Sequence, residues 1–452
     1  MTAPAHPSTA PLAPEAPLPV RDKLAALRVF HTGPGKVAAA AGPVALLTFT
    51  PRWLIPRYAM VCSPRGARDV LGRTDGAFDK QHIVHRQSQA FGRNVFNLPH
   101  EPWLGRRRLL QPLFTRRHVA EYAGHMSTSA ARLADDWIAR GTVDLDEQTR
   151  RLTLQVIGRS VFGLDLGERA DELGPPVKLV LQWLTGRSRR PVRAPGWLPT
   201  PARHRMRTSL GQIRAVIDEA IDAARMDPGR DAGLVTLLLA ADDPETGVRL
   251  TDEQIRDELF VFLIAGHDTT STTLAFSLWS LGRDPVLQER VAQEVSGLGP
   301  RALTVDDLPK LAFTARVIHE ALRLCPPAPI IVRSAMQDAT VDGVRIPAGT
   351  QVIVGAYAMH HDPSLWSEPE LFDPDRFAGY RPVGDDRWRF LPFGAGPRSC
   401  IGDHFAMLET TLGLATIIGR TRVESLDADF PIGLPFTLTA GGPVPARITS
   451  RS

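Results

Sequence analysis

The sequence predicts a mainly α-helical protein with small β-sheets, an α+β fold class organised around one long helix. Across most of the 452 residues, apolar side chains recur every three or four positions, which is the period of an amphipathic helix. One apolar run, from Thr251 to Leu281, would form a helix about 45 Å long at ~1.5 Å per residue, enough to cross a whole domain. Residues 339–357 and the C-terminal end show instead the shorter alternation of strands.

The predicted elements follow one another in a simple order. Helical periodicity predicts further helices at residues 119–139, 148–162, 208–226 and 285–295. Thr251 and Gln254 form a capping box that starts the long helix, and Gly282 is its predicted C-cap. Strands are predicted at residues 339–347 with a turn at Asp342-Gly343, at 351–357, and as a hairpin of 436–439 with 444–448 around Gly441-Gly442.

Composition excludes several classes of protein. Hydrophobic residues make up 43% and charged residues 23%, as in an ordinary globular protein that can bury a large core. The net charge is only +4 and no nucleic-acid-binding motif accompanies it, so nucleic-acid binding is not expected. Apolar runs near the N-terminus fall far short of the ~18 residues that a membrane span needs.

Domain organisation and location follow from the N-terminal composition and the cysteines. Residues 1–19 are rich in Pro, Ala and Ser and predict a disordered leader, and the lack of a linker after residue 20 predicts a single domain over 20–452. Cys62, Cys325 and Cys400 lie too far apart to suggest a disulfide framework, which favours a reducing, cytoplasmic compartment. We expect a monomer.

The most informative motif presents a cysteine from a glycine-rich loop, Phe393-Gly-Ala-Gly396-Pro-Arg398-Ser-Cys400-Ile-Gly402, before an apolar helix. A helix N-terminus offers unpaired N–H groups and a positive dipole end, so we expect a lowered pKa for Cys400 and a thiolate available to iron. Gly396 and Gly402 allow a backbone conformation or a close approach that a Cβ would block. Phe393 shields the sulfur, and Arg398 offers a fixed cation to an acidic group such as a haem propionate. The alternative is a buried structural cysteine.

The middle of the long helix breaks its apolar pattern with seven consecutive polar residues, 267–273. Seven residues span almost two turns, so some must face inward, where an unpaired polar group is costly. We expect the Thr269 hydroxyl to bond back to the Ala265 carbonyl and loosen the helix, with Gly266 leaving room for a small ligand. Asp268 beside Thr269 can relay protons. The alternative is a polar face turned to water.

Three further motifs occur in a matching order: Trp103-Leu-Gly-Arg-Arg107 on an early helix, Glu320-Ala-Leu-Arg323 on a helix ended by Pro326-Pro327, and Pro374-Asp-Arg376-Phe377. Charges at i and i+3, as in Glu320 and Arg323, can pair on one helix face. With the cysteine loop and segment 265–270, these motifs resemble the cytochrome P450 family of haem-thiolate monooxygenases, from about residue 20 to residue 448. The resemblance implies that family's fold, with the long helix over the haem.

The resemblance also implies roles for individual residues. Cys400 would be the axial thiolate ligand of the iron of haem b, in a site also formed by Ala265, Gly266, Phe393 and Gly402. The haem propionates would be held by Trp103, Arg107, Arg333 and Arg398. Asp268 and Thr269 would deliver protons to bound oxygen. A buried charge triad that locks the core around the cysteine loop would consist of Glu320, Arg323 and Arg376.

The implied activity is the oxygenation of an apolar substrate such as a fatty acid, terpenoid or polyketide, by hydroxylation or epoxidation with O2 and NAD(P)H-derived electrons. The sequence contains no dinucleotide-binding motif or iron–sulfur cysteine cluster, so a separate ferredoxin or flavodoxin with its reductase would supply the electrons. Arginines at 106–108, 116 and 117 either form a basic face for that donor or are solvated, with one or two turned to the haem. By resemblance, the substrate pocket would be lined by Phe91, Val95, Phe96, Ile264, Ile330, Ile331 and Phe436.

Two other functions stay open at this point. A haem-thiolate peroxygenase or peroxide isomerase needs no electron donor, but members of that kind usually lack the acid–alcohol pair present here as Asp268-Thr269. A haem-based sensor would couple the haem to an output domain, and no residues are left over to form one.

Overall fold

The computed structural model describes residues 10–51, 55–80, 92–167, 169–189, 200–227, 233–299, 301–381, 383–434 and 437–451, with the backbone alone for 184–189. Within these ranges the chain forms fifteen α-helices, numbered here in chain order: α1 (Val20–Arg28), α2 (Gly33–Ala41), α3 (Pro64–Leu71), α4 (His100–Leu110), α5 (Arg116–Ala120), α6 (Ala123–Arg140), α7 (Leu145–Ile157), α8 (Ala170–Arg189), α9 (Pro201–Met226), α10 (Leu234–Ala240), α11 (Asp252–Arg283), α12 (Pro285–Ser296), α13 (Ala312–Leu324), α14 (Ala356–His360) and α15 (Asp403–Arg420).

Short strands form four small sheets in the described part of the chain. The strands are β1 (Val44–Leu47), β2 (Tyr58–Val61), β3 (Phe78–Asp79), β4 (Thr142–Asp144), β5 (Ile331–Ala335), β6 (Ala339–Val341), β7 (Val344–Ile346), β8 (Gln351–Val354), β9 (Thr421–Ser425), β10 (Ile432–Gly433), β11 (Thr439–Ala440) and β12 (Pro445–Ser450). The largest sheet has the order β1-β2-β8-β5-β3, a second has β4-β12-β9, and the other two are the pairs β6-β7 and β10-β11. The mainly helical α+β class predicted from the sequence is confirmed.

The long helix α11 begins as the sequence predicts. The Thr251 side chain accepts a hydrogen bond from the Gln254 N–H, and the Gln254 side chain accepts one from the Thr251 N–H, which completes the capping box. The predicted end was wrong, because Gly282 lies inside the helix and Asp284 is the C-cap. A Cβ on Gly282 would come within 2.8 Å of the Ser425 nitrogen, so the glycine lets β9 approach the helix closely.

Helix α11 lies in the middle of the described core. It packs against α7, α13, α15 and β9. The largest cluster of buried apolar side chains draws on these elements, and a second cluster joins the five-stranded sheet to α3. Among the residues described, no helix is both long enough and apolar enough to cross a bilayer.

Two predicted helices differ at their ends. The helix expected over 119–139 is two helices, α5 and α6, because the chain turns at Glu121 and Tyr122. The helix expected over 148–162 already begins at Leu145, and its last residues form a π-helical turn, Gly158–Phe162. A Cβ on Gly158 would lie 2.7 Å from the Leu164 carbonyl oxygen, so the returning chain packs directly on this turn.

The predicted strand pairs are partly right. The β6-β7 hairpin turns at Asp342 and Gly343, both at positive φ, as predicted. The second hairpin was wrong: β11 pairs with β10, whereas β12 is the middle strand between β4 and β9. This arrangement satisfies both edges of β12, which a hairpin alone would leave half unpaired. Residues 356–357, expected in a strand, begin α14.

The N-terminal segment also departs from expectation. Residues 1–9 of the predicted disordered leader lie outside the described part of the chain. Residues 10–18 are not free: Leu12 bridges to Arg345, Glu15 bridges to Leu46, and Ala13 and Ala16 are buried. The short side chains allow this segment to lie flat on the sheet edges, which composition alone did not reveal.

Candidate active site

The loop before α15 is held by its own backbone. The Cys400 N–H donates to the Phe393 carbonyl at 2.8 Å, and the Ser399 N–H donates to the Gly396 carbonyl at 3.0 Å. Arg107 of α4 closes the loop from outside by donating to the Ser399 carbonyl at 3.1 Å. These bonds fix the direction in which the cysteine side chain leaves the loop.

Of the two glycines that the sequence predicted to be required in this loop, the structure requires one. Gly396 has φ +73°, and a Cβ there would lie 1.9 Å from the Leu71 carbonyl oxygen, so both the backbone conformation and the close approach require glycine. Gly402 is different. It has φ −99° as the N-cap of α15, and a Cβ there would meet no protein atom within 4 Å.

The Cys400 side chain is exposed, whereas Cys62 and Cys325 are buried. We predicted a lowered pKa, but desolvation by the surrounding protein raises the pKa of the Cys400 thiol to about 11, against the opposing effects of the Gly402 N–H and the Arg107 guanidinium. Desolvation therefore outweighs the helix terminus. A thiol in such surroundings ionises when a metal ion binds it, because a coordinated thiol is deprotonated. Burial raises the pKa of Cys62 and Cys325 to about 12.

Three cations meet next to this loop. Arg333 of β5 is buried, and its pKa falls to about 10 because of burial and the nearby Arg398. Burial likewise lowers the pKa of Arg398 to about 10. Lys80 joins them, and its pKa is lowered well below the usual value by burial and by the two arginines. Among the described residues, one carboxylate, Asp79, offsets this charge and accepts from Arg398 at 2.9 Å.

This cluster fits the carboxylates of a haem. Positive charge in low-dielectric surroundings is costly unless anions neutralise it, and one Asp79 for three cations leaves a surplus. The Arg398 guanidinium also lies over the Trp103 ring at 4.5 Å, and Trp103 is buried. Arg107 is half-buried beside the loop, and burial lowers its pKa. All four residues that the resemblance assigns to the haem propionates thus lie at the cysteine loop or in the cation cluster. The cluster also contains Lys80 and Asp79, which no local sequence pattern indicated.

The middle of the central helix is exposed at one position. Ala265 is exposed although the four residues before it are buried. The Thr269 hydroxyl donates to the Ala265 carbonyl at 2.6 Å, the back-bond that the sequence predicted. The helix nevertheless continues without a break, and a Cβ on Gly266 would lie 2.6 Å from Ile157 Cδ1. Gly266 therefore allows the helix to pack closely against α7. Our expectation that this glycine leaves room for a ligand was wrong.

The polar run 267–273 is mostly buried, so the water-facing alternative does not hold. Asp268 has both carboxylate oxygens engaged: Arg150 of α7 donates to Oδ1 at 2.6 Å, and the Thr437 hydroxyl donates to Oδ2. Arg150 also donates to Asp146 at 2.9 Å. His267 contacts the Thr153 hydroxyl, and burial lowers its pKa to about 4, so it is neutral. These partners lie 114 to 169 residues away in sequence and could not be predicted from the motif.

The predicted charge triad is present. Glu320 and Arg323 are fully buried and form two hydrogen bonds of 2.8 Å, and Arg376 donates to Glu320 at 2.9 Å. Arg323 donates further to the carbonyls of His360 and Pro369 at 2.8 and 2.7 Å. The triad thus ties α13 to the irregular chain that leads to the cysteine loop.

The predicted pocket residues are divided among several places. Val95 and Ile264 are buried in the largest cluster, whereas Ile330 packs in a cluster with β1 and Ile331 in the cluster with α3. Ile331 Cδ1 would lie 3.7 Å from a Cβ on Gly394, so this side chain contacts the cysteine loop. Phe96 is exposed. Phe91 and Phe436 lie outside the described residues.

The arginines near α4 do not form a shared basic face. Arg106 is buried in an ion pair with Glu258, and Arg108 pairs with Asp243 at 2.8 Å. Arg107 contacts the cysteine loop. Arg116 and Arg117 are exposed. Two of the five arginines are therefore structural, because carboxylates from distant elements neutralise them.

Comparison with known proteins gives consistent matches. The family model described as Cytochrome P450 matches residues 42–437. Cyclooctat-9-en-7-ol 5-monooxygenase of Streptomyces melanosporofaciens is 33% identical over 391 residues, covering 86% of this chain and 85% of that protein. Cyclooctatin synthase of the same organism is 36% identical over 323 residues, covering 71% and 70%. Pentalenene oxygenase of Streptomyces avermitilis is 32% identical over 380 residues, covering 82% and 84%.

Proposed function

The chain belongs to the cytochrome P450 family, and from this premise we propose which residues carry out its reaction and on what class of substrate. It is a haem monooxygenase: the haem, when bound, activates O2 with electrons from redox partners and transfers one oxygen atom to an apolar substrate. The observation that carries the residue assignment is the surplus of positive charge formed by Lys80, Arg333 and Arg398, next to the loop that exposes Cys400.

The cofactor is held in two ways. Cys400 supplies the thiolate ligand, in a loop that Phe393 and Gly396 shape. Arg398, Arg333 and Lys80 bind the haem carboxylates, with Arg107 and Trp103 beside them. Binding two carboxylates here neutralises the cluster, so we expect haem binding to stabilise the fold strongly.

Two residues of α11 hold the protons that the reaction consumes. Thr269 has its hydroxyl next to the exposed Ala265, and Asp268 lies one residue away with its carboxylate held by Arg150 and Thr437. An acid and an alcohol at adjacent positions can pass a proton from the polar network to the helix face at Ala265. The Glu320 triad holds the chain that leads to the cysteine loop.

The substrate class that we propose is a terpenoid. Three bacterial relatives that match most of this chain are named for cyclooctat-9-en-7-ol, cyclooctatin and pentalenene. Val95 and Ile264 provide apolar side chains for such a ligand. An apolar ring system suits burial against such side chains, since the gain scales with the apolar area removed from water.

The remaining proposals concern the setting of the reaction. The electron donor is a ferredoxin or flavodoxin with its reductase, the catalytic domain spans residues 20–452 together with the packed segment 10–18, and the protein is a monomer. Three free cysteines support a reducing, cytoplasmic location.

The test uses the purified holoprotein. Pentalenene, cyclooctat-9-en-7-ol and dodecanoic acid are titrated separately, and the low-spin to high-spin shift of the haem spectrum is recorded. We expect a saturable shift with at least one terpenoid and turnover with O2, NADPH and a surrogate ferredoxin system. A response to dodecanoic acid alone would contradict the terpenoid class, and turnover that requires only added peroxide would favour a peroxygenase.

A further inference from the structure

One stretch of chain, residues 92–98, is held at its start by carboxylates of the central helix. The Arg93 N–H donates to Asp257 at 2.7 Å, and the Val95 N–H donates to both Glu258 oxygens at 2.9 and 3.1 Å. Gly92 has φ +66°, and a Cβ there would overlap the Asp257 carboxyl, so the backbone lies directly against that side chain. We call residues 92–98 the anchored segment.

The other end of the anchored segment is held by the cation cluster. Arg398 donates to the Leu98 carbonyl at 2.8 Å, and Lys80 donates to the Phe96 carbonyl. Within the segment, the Asn97 side chain donates to the Gly92 carbonyl at 2.8 Å and accepts from the Asn94 N–H at 3.1 Å. The segment is thus a rigid connection between the first turns of α11 and the group of residues that binds the cofactor carboxylates.

Glu258 is an unusual anchor because it is a fully buried carboxylate. Its partner is Arg106 of α4, whose side chain is 7% exposed. Burial raises the pKa of Glu258 to about 7; the nearby Asp257 adds to this shift, while Arg106 and the Val95 N–H oppose it. An apolar residue would fill the same place at lower electrostatic cost, but it would leave the buried Val95 N–H without an acceptor. The ion pair of Glu258 and Arg106 therefore holds the Val95 backbone in place.

Val95 is buried in the same apolar cluster as Ile264 of the central helix. Resting on the proposed function, in which these two side chains contact the substrate, we propose that Glu258, held by Arg106, is a positioning residue for substrate binding. It fixes Val95 and the anchored segment, and so determines how tightly a bulky apolar ligand is bound without changing access of a small ligand to the haem.

The experiment compares two probes in each holoprotein: imidazole, which needs only the haem iron, and clotrimazole, a bulky apolar imidazole that must also fill the pocket. Glu258→Gln leaves Arg106 buried without its counter-ion, so the double variant Glu258→Leu/Arg106→Leu, which removes both charges, is measured beside it. Glu294→Gln is the matched control, because Glu294 also accepts two backbone N–H bonds, from Phe313 and Thr314, in another part of the fold.

Both Glu258 variants should lose about tenfold in clotrimazole affinity and keep imidazole affinity within about twofold. Amide hydrogens of residues 93–98 should exchange with solvent about tenfold faster, while the control variant changes neither readout. Equal losses for both probes, or unchanged exchange at 93–98, would overturn the inference. A wild-type protein that takes up no haem would overturn the proposed function instead, and the exchange measurement would still decide whether Glu258 anchors the segment.

Discussion

Replacing Glu320 by Ala tests the buried triad. The substitution removes the acceptor of two hydrogen bonds from Arg323, one from Arg376 and one from the Asp373 N–H. Arg323 would keep its bonds to backbone carbonyls but would lose its counter-ion while fully buried. Removing one member of a buried pair typically costs about 3–5 kcal/mol, out of a total stability of about 5–15 kcal/mol.

The expected shift in thermal unfolding follows from the length of the chain. The unfolding entropy of 452 residues is about 0.95 kcal/mol per degree, so the loss corresponds to a fall in Tm of about 3–5 °C. Haem content should fall as well, because the triad supports the chain leading to the cysteine loop. Haem content is measured from the reduced carbon monoxide spectrum, and Tm from circular dichroism.

The control is an exposed pair of the same chemistry. Glu424 accepts from Arg447 at 2.6 Å, and both side chains are more than half exposed. Glu424→Ala should leave haem content unchanged and Tm within about 1 °C, because solvent screens such pairs. Full haem loading and an unchanged Tm in Glu320→Ala would refute the argument that burial makes the triad essential.

Further predictions concern the thiolate, the proton path and pH. Cys400→Ser should abolish the red-shifted Soret band of the reduced carbon monoxide complex, whereas Cys62→Ser and Cys325→Ser should retain it; a normal spectrum in Cys400→Ser would remove this cysteine as the ligand. Thr269→Ala should still bind haem and substrate, but product should fall by about 10²- to 10⁴-fold relative to electrons consumed, with peroxide released; unchanged coupling would exclude Thr269 from the proton path. Because burial raises the folded-state pKa of Glu258 from 4.5 to about 7, the folded protein holds a proton that the unfolded chain releases, and stability should decline as pH rises through this range. Glu258→Gln should show a shallower decline in Tm between pH 4.5 and 7, and equal slopes would contradict the shift.

Several features of the site could be predicted because they are encoded within a few residues. The spacing of Glu320 and Arg323 places both charges on one helix face, and they do pair. The bond from Thr269 to the Ala265 carbonyl needs nothing beyond the helix itself. Gly396 has the positive φ that its place in a glycine-rich loop suggested. In each case the interacting groups lie close together in sequence.

Other features could not be predicted because their partners come from distant elements. Lys80 belongs to the cation cluster only because β3 pairs with β5, which brings it near Arg333. Arg106 cannot be told from the half-buried Arg107 and Arg108 in sequence, but Glu258, 152 residues away, buries it in an ion pair. The pKa of Cys400 was misjudged for the same reason, since desolvation depends on everything that packs around the loop.

The sequence by itself determined the helical class, the start of the central helix, the family, and the cysteine, acid–alcohol and charge-triad motifs, because periodicity and short-range geometry are local properties of a chain. The tertiary structure decided which carboxylates neutralise which arginines, where β12 finds its neighbours, that Gly266 and Gly282 serve packing, and how residues 92–98 are held. These depend on burial and on contacts between separate elements, many of them more than a hundred residues apart, whose electrostatic cost or gain exists only once the chain has excluded water.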